Sequence, residues 1–151
     1  MKKTLITLAA LLLLTGCGNN SGTKTCTTTT TDDDGYKTTD TMVITYKDSK
    51  VTQVEDTKVS EMNPSYIDFT VALSEGVAKE MNKWDGFEVK YSKEGGNKIK
   101  GYINVDFTKI DANAFKEALG ELGEENDMFY TNNDITIDDF ISKYADGYTC
   151  K

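Results

Sequence analysis

The N-terminus limits what this chain can fold into more than any other part of it. Lys2 and Lys3 precede Leu5–Leu14, ten residues in which only Thr7 is polar. A helix that crosses the hydrocarbon of a bilayer needs about 20 apolar residues, so this run is too short for a stable span. A short positive stretch followed by a compact apolar run is the pattern of an export signal, which the mature chain loses. Residues 1–16 are therefore read as a signal peptide and residues 26–151 as one folded domain, with 17–25 between them. A total of 151 residues suits a single domain.

The apolar run ends in Leu14-Thr15-Gly16-Cys17, which resembles the lipobox of bacterial lipoproteins. The chemistry needs that order. The Cys17 thiol is the nucleophile that takes a diacylglycerol, and the small Gly16 before it lets a peptidase close on the peptide bond. Two acyl chains, such as palmitate, hold a protein on a membrane where one holds it only marginally. The chain carries a net charge of −8, and cleavage removes two lysines, so anionic lipid repels the domain and the lipid must do the anchoring. The expected location is the extracytoplasmic face of the cell membrane, with the bilayer as partner through diacylglyceryl Cys17. Gly18 to Thr25 are small and polar and read as a flexible tether with a reach of about 15 Å.

With Cys17 committed to lipid, Cys26 and Cys150 remain, an even pair near the two ends of an exported domain. That is the condition for a disulfide. Closing a loop of 124 residues stabilises by about 4–5 kcal/mol in the chain-entropy treatment. The rival readings are free thiols or redox cysteines. They lack the CxxC spacing and any cationic neighbourhood beyond Lys24 and Lys151.

Composition excludes several chemistries. All 17 basic residues are lysine, and there is neither histidine nor arginine. Histidine-based triads, imidazole-ligated metals and bidentate arginine clamps are absent with them. A sequence pI near 4.6 argues against nucleic acid as a partner, since phosphate neutralisation needs a basic face.

The remaining pattern predicts an α+β domain, a mainly antiparallel sheet with about three helices on one face, its N- and C-terminal strands linked by the disulfide. Thr27–Thr31 is a β-branched run suited to an edge or solvent-facing strand, closed by the turn Asp32-Asp33-Asp34-Gly35. Met42, Ile44 and Tyr46 alternate as in a half-buried strand, and Asp48-Ser49-Lys50 leads tightly into Val51–Val59. There Val51, Val54 and Val59 break alternation, which a bulge or a bend would repair. Asn63-Pro64 caps a helix whose core face is expected at Phe69, Leu73, Val77, Met81 and Trp84. Asp85-Gly86 stops it. Phe87, Val89 and Tyr91, the turn Glu94–Asn97, and Ile99, Ile103, Val105 and Phe107 make a hairpin. Asp111 is expected to cap a second helix bearing Phe115, Ala118, Leu119 and Leu122. Thr136 is expected to cap a third with Ile137, Phe140, Ile141 and Tyr144, with Gly147 as its C′ residue. Tyr148-Thr149-Cys150 is left as a final short strand.

The lipobox, the cysteine opening a threonine-rich strand, "MVITYKDSKVTQVE" and "KWDGFEVKYSKEGGNKIKGYINVDFTKIDA" together resemble the YehR-like small lipoproteins. That exported bacterial family has no known molecular function. The resemblance covers most of residues 26–144 and rests on element order and on the G-x-x-x-K and I-x-V-D-F-x-K stretches. It implies an α+β domain and a lipid anchor, and it brings no active-site residues.

No catalytic motif is present, and no cofactor or metal is expected. Asp32–Asp34 comes too close to Gly35, with no following glutamate, for a calcium loop, and reads as a solvated acidic turn. Asn132–Asp134 with Asp138 and Asp139 is explained by helix capping. Gly120–Gly123 lacks the Gly-Lys-Ser/Thr ending of a phosphate loop. Trp84, Tyr91 and Tyr102 are candidates for an aromatic binding patch, against the alternative of core and cross-strand packing. The expected function is a non-enzymatic envelope lipoprotein that binds a protein, a polymer or a small ligand. The alternatives are an accessory ligand-binding lipoprotein of a transporter and a small carboxylate-based hydrolase. The last needs two acids converging in one cleft with one pKa raised.

Overall fold

The computed structural model describes residues 20–111 and 134–151. Six strands, β1 (Gly22–Thr31), β2 (Lys37–Lys47), β3 (Lys50–Glu61), β4 (Phe87–Glu94), β5 (Lys98–Asp106) and β6 (Thr149–Cys150), form one sheet. Their spatial order is β4-β5-β3-β2-β1-β6, and every pairing is antiparallel. Among the described residues there are two helices, α1 (Pro64–Met81) and α2 (Ile137–Tyr144). The helix expected after Asp111 lies outside the described residues, as do Cys17 and the segment 1–16 read as a signal peptide.

The local chemistry of the strands is the expected one. Asp48 and Ser49 adopt positive φ in a two-residue turn between Lys47 and Lys50, the geometry that suits a twisted hairpin. Thr45 pairs with Gln53 and Tyr46 with Val51, so Thr52 is the extra residue of a bulge. The bulge puts Val51 and Val54 on one face, both fully buried. Asp32 closes its own turn, its carboxylate accepting from the Asp34 and Tyr36 amides.

One sheet face carries the core. Cys26, Met42, Ile44, Val51, Val54, Phe87, Val105 and Phe107 meet Ile137, Phe140 and Ala145 from α2 and the turn after it. The opposite face of β1 and β2 is largely threonine, with hydroxyl contacts across strands such as Thr29 to Thr39. β1 begins at Gly22, so Gly22–Thr25 is strand rather than tether. The small polar composition conceals this, because the strand is specified by its partners Val43–Tyr46.

α1 is capped by Asn63, whose side chain accepts from the Ser65 amide. Its packing corrects the expectation. Phe69, Leu73 and Val77 point to solvent with Tyr66, at 54–70% exposure. The helix lies over β4 and β5 on Ile67 and Ala78, which are buried, with Val71 and Ser74 half-buried between them. These positions also repeat at helical spacing, and small Ser74 and Ala78 let the backbone approach the sheet. Met81 and Trp84 pack against the core as expected. Asn82 ends the helix and clamps it to β4, donating to the Val89 carbonyl and accepting from the Val89 amide.

Thr136 caps α2 by accepting from the Asp139 amide, with Asp138 and Asp139 in the positive first turn. Gly147 turns the chain at φ +80°, two residues past the cap Ala145. β6 then pairs Cys150 directly with Cys26, and the two are joined by a disulfide. Among the described residues no helix is long and apolar enough to cross a membrane.

Candidate functional site

Strand alternation brings three charged residues onto the core face. Asp40 shares it with Met42 and Ile44, while Asp56 and Lys58 share it with Val54. Asp40 sits directly opposite Lys58 in the β2–β3 ladder. The Lys58 ammonium lies 3.1 Å from an Asp40 carboxylate oxygen. The Asp40 side chain is 8% exposed and that of Lys58 54%.

The second carboxyl makes the site unusual. Asp40 Oδ1 and Asp56 Oδ1 are buried without a donor among the described residues. The two side chains are hydrogen-bonded to each other, which requires a proton on one of the carboxyls. Burial, reinforced by the hydrogen bond to Asp40 and its charge, pushes Asp56 up to about 7. Burial acts on Asp40 in the same direction. There the hydrogen bonds from Asp56 and Lys58, with the Lys58 charge, outweigh it and hold the carboxyl below its usual range. Lys58 is raised because its hydrogen bond and attraction to Asp40 outweigh its own burial. Burial and the neighbouring Asp40 push the Tyr148 hydroxyl up to about 12.

A cavity of about 150 Å³ opens beside this group. Asp56, Lys58 and Ser60 line it from β3, Tyr91 from β4, and Ile99 and Ile103 from β5. Gly101 makes room for it. A Cβ at Gly101 would stand 3.0 Å from the Tyr91 ring, so glycine lets that ring lie close across β5. The lining combines one carboxyl and one ammonium with two hydroxyls and apolar walls.

The aromatic patch considered from the sequence is not assembled. Tyr91 faces the cavity, but Tyr102 pairs with Lys90 and Thr57 on the opposite face of the sheet. There its hydroxyl reaches Glu55 at 3.5 Å and the Lys90 ammonium lies over its ring. Trp84 lies in the connection from α1 to β4, where it lines a separate cavity of about 310 Å³ with Lys83, Ile110 and Asp111. Strand parity separates the two tyrosines: 91 and 102 fall on opposite sides once Tyr91 is registered with Gly101. Sequence reasoning missed Asp40, Asp56 and Lys58. Their signal was present, as charges standing at the apolar parity of two strands. Among the described residues no three acidic or sulfur ligands gather in a metal-holding arrangement.

No family model and no curated protein matches the chain by sequence. Two solved structures are similar to it. The NMR structure of a protein from Streptococcus pneumoniae TIGR4 is 22% identical with a TM-score of 0.56, covering 100% of this chain and 97% of that one. The NMR structure of the E. coli YehR protein is 15% identical with a TM-score of 0.59, covering 88% of this chain and 92% of that one. The fold is YehR-like. At these identities the likeness concerns the fold alone, and the Asp40–Asp56–Lys58 group is a feature of this chain's own residues.

Proposed function

We propose that this chain is an outward-facing bacterial lipoprotein, anchored through diacylglyceryl Cys17, whose YehR-like domain is a non-enzymatic binding module close to the bilayer. The observation that supports binding is the mixed-charge cavity on the sheet face that carries the core. Such a site costs folding energy, because charges taken from water are poorly repaid by each other. That cost falls on Asp40, the charged residue of the three that is buried. The disulfide supports the export half of the reading, since such bonds persist in oxidising compartments.

The cavity holds about five water-sized groups, which suits a small polar ligand and not a polymer. A thermal-shift panel of short amines, carboxylates, amino acids and sugars tests this. Ligands that stabilise the wild type and lose their effect in Ile103→Phe, which fills the cavity, support it. A panel that stabilises neither protein contradicts it.

One observation favours a second reading. Asp40 and Asp56 are two acids in one site with one pKa raised, the arrangement a carboxylate hydrolase needs. Glycosidases, however, hold their two carboxyls about 5–9.5 Å apart, with room for the substrate between them. Here the pair shares a hydrogen bond. Turnover of a glycoside or peptide that is abolished by Asp56→Asn would establish the hydrolase over the binding module.

A further inference from the structure

Resting on the binding reading, we propose that the cavity beside β3 takes a small zwitterion of the α-amino acid class, its ammonium against Asp56 and its carboxylate against Lys58. Asp56 and Lys58 are alternate residues on one face of β3, so their Cα atoms stand about 7 Å apart along the strand. Both line the same cavity. A ligand with its ammonium and carboxylate on one shared carbon fits between the two side chains once each extends toward it.

Each charge has capacity to spare. Lys58 uses its ammonium on Asp40 and keeps its side chain 54% exposed; an ammonium has three donors, so two remain for a ligand carboxylate. Asp56 turns Oδ1 inward, where it is sequestered, and is itself only partly buried. The rest of its carboxyl borders the cavity and can accept from a ligand ammonium. Asp40 and Asp56 share one proton and so carry one negative charge between them. A simple cation would gain that charge but meet Lys58, and a simple anion would gain Lys58 but meet the pair. Only a molecule carrying both charges satisfies both walls.

Size and shape narrow the class. About 150 Å³ is the space of about five water molecules, which matches glycine, alanine or serine. Ile99, Ile103 and the Tyr91 ring supply apolar contact for a short side chain, and the Ser60 hydroxyl lies on the same wall.

The test uses the full chain, purified in detergent with its disulfide intact. Calorimetry compares alanine with alanine methyl ester, which lacks the carboxylate charge, and N-acetylalanine, which lacks the ammonium. The expected result is binding of alanine, at least tenfold weaker binding of both analogues, and loss of alanine binding in Ile103→Phe. Asp56→Asn should bind alanine at least tenfold more weakly while melting cooperatively. If the ester or the acetyl compound binds as well as alanine, the zwitterion assignment is overturned. If alanine is silent but another small ligand binds wild type and not Ile103→Phe, that assignment falls and the binding module stands. If no small ligand binds, both fall together.

Discussion

At the scale of single residues, the Asp40–Asp56–Lys58 group couples stability to pH. Asp56 is raised in the folded state to about 7 from an ordinary 3.8. Between those values the folded chain holds a proton that the unfolded chain has lost, so its contribution is full below 3.8 and declines as pH rises through 7. Asp40 is lowered, so its contribution is present above its ordinary value and is lost as pH falls below it. Together these two groups give their greatest support near their ordinary value of 3.8, and that support declines as pH rises from there through 7. Asp56→Asn keeps the shape and removes the charge. It should flatten the decline between pH 5 and 8, with a gain at pH 8 of about 2 kcal/mol once solvent screening is allowed for. Chemical denaturation at the two pH values measures this, and an unchanged slope would show that Asp56 does not titrate as described.

At the scale of elements, α1 separates what is apolar from what is buried. Ile67 is fully buried, whereas Leu73 is 62% exposed. Ile67→Ala should cost about 3 kcal/mol, the usual loss for a large aliphatic residue in a core. Leu73→Ala should stay within about 0.5 kcal/mol. Equal costs at the two positions would mean that the helix sits on its other face. The helix itself was legible in the sequence through Asn63, Pro64 and its length, but its orientation was not. Two stripes at helical spacing competed, and the more hydrophobic one faces solvent, because contact with β4 and β5 favours the side carrying Ser74 and Ala78. The bulge in β3 was legible for the opposite reason. Val51 and Val54 can share a buried face if one residue between them is set aside or the strand bends, and the structure takes the bulge.

At the scale of the whole molecule, the strand order carries the first and last strands to one edge. Hairpins, caps and core alternation could be read from local pattern, and so could the pairing of Cys26 with Cys150. The order β4-β5-β3-β2-β1-β6 could not, because the α1 connection places β4 beyond β5 and no local signal encodes that choice. The candidate site was hidden for a related reason. Asp40, Asp56 and Lys58 look like ordinary surface charges until the ladder registers Asp40 against Lys58 and diagonal to Asp56. β6 is only two residues long, and the disulfide reinforces a short ladder in which Thr25 and Lys151 exchange two backbone hydrogen bonds. Replacing both Cys26 and Cys150 with alanine should cost about 4 kcal/mol, a fall in melting temperature of about 10 °C or more. A smaller fall than 3 °C would indicate that β6 docks without its covalent link.

The central claim is that this YehR-like domain works outside the cell on a lipid anchor, and the intact mass of the protein recovered from bacterial membranes tests it most directly. The account predicts a chain beginning at Cys17, heavier by a diacylglyceryl group, with Cys26 and Cys150 oxidised. A cytosolic chain that keeps Met1 and carries three free thiols would contradict it.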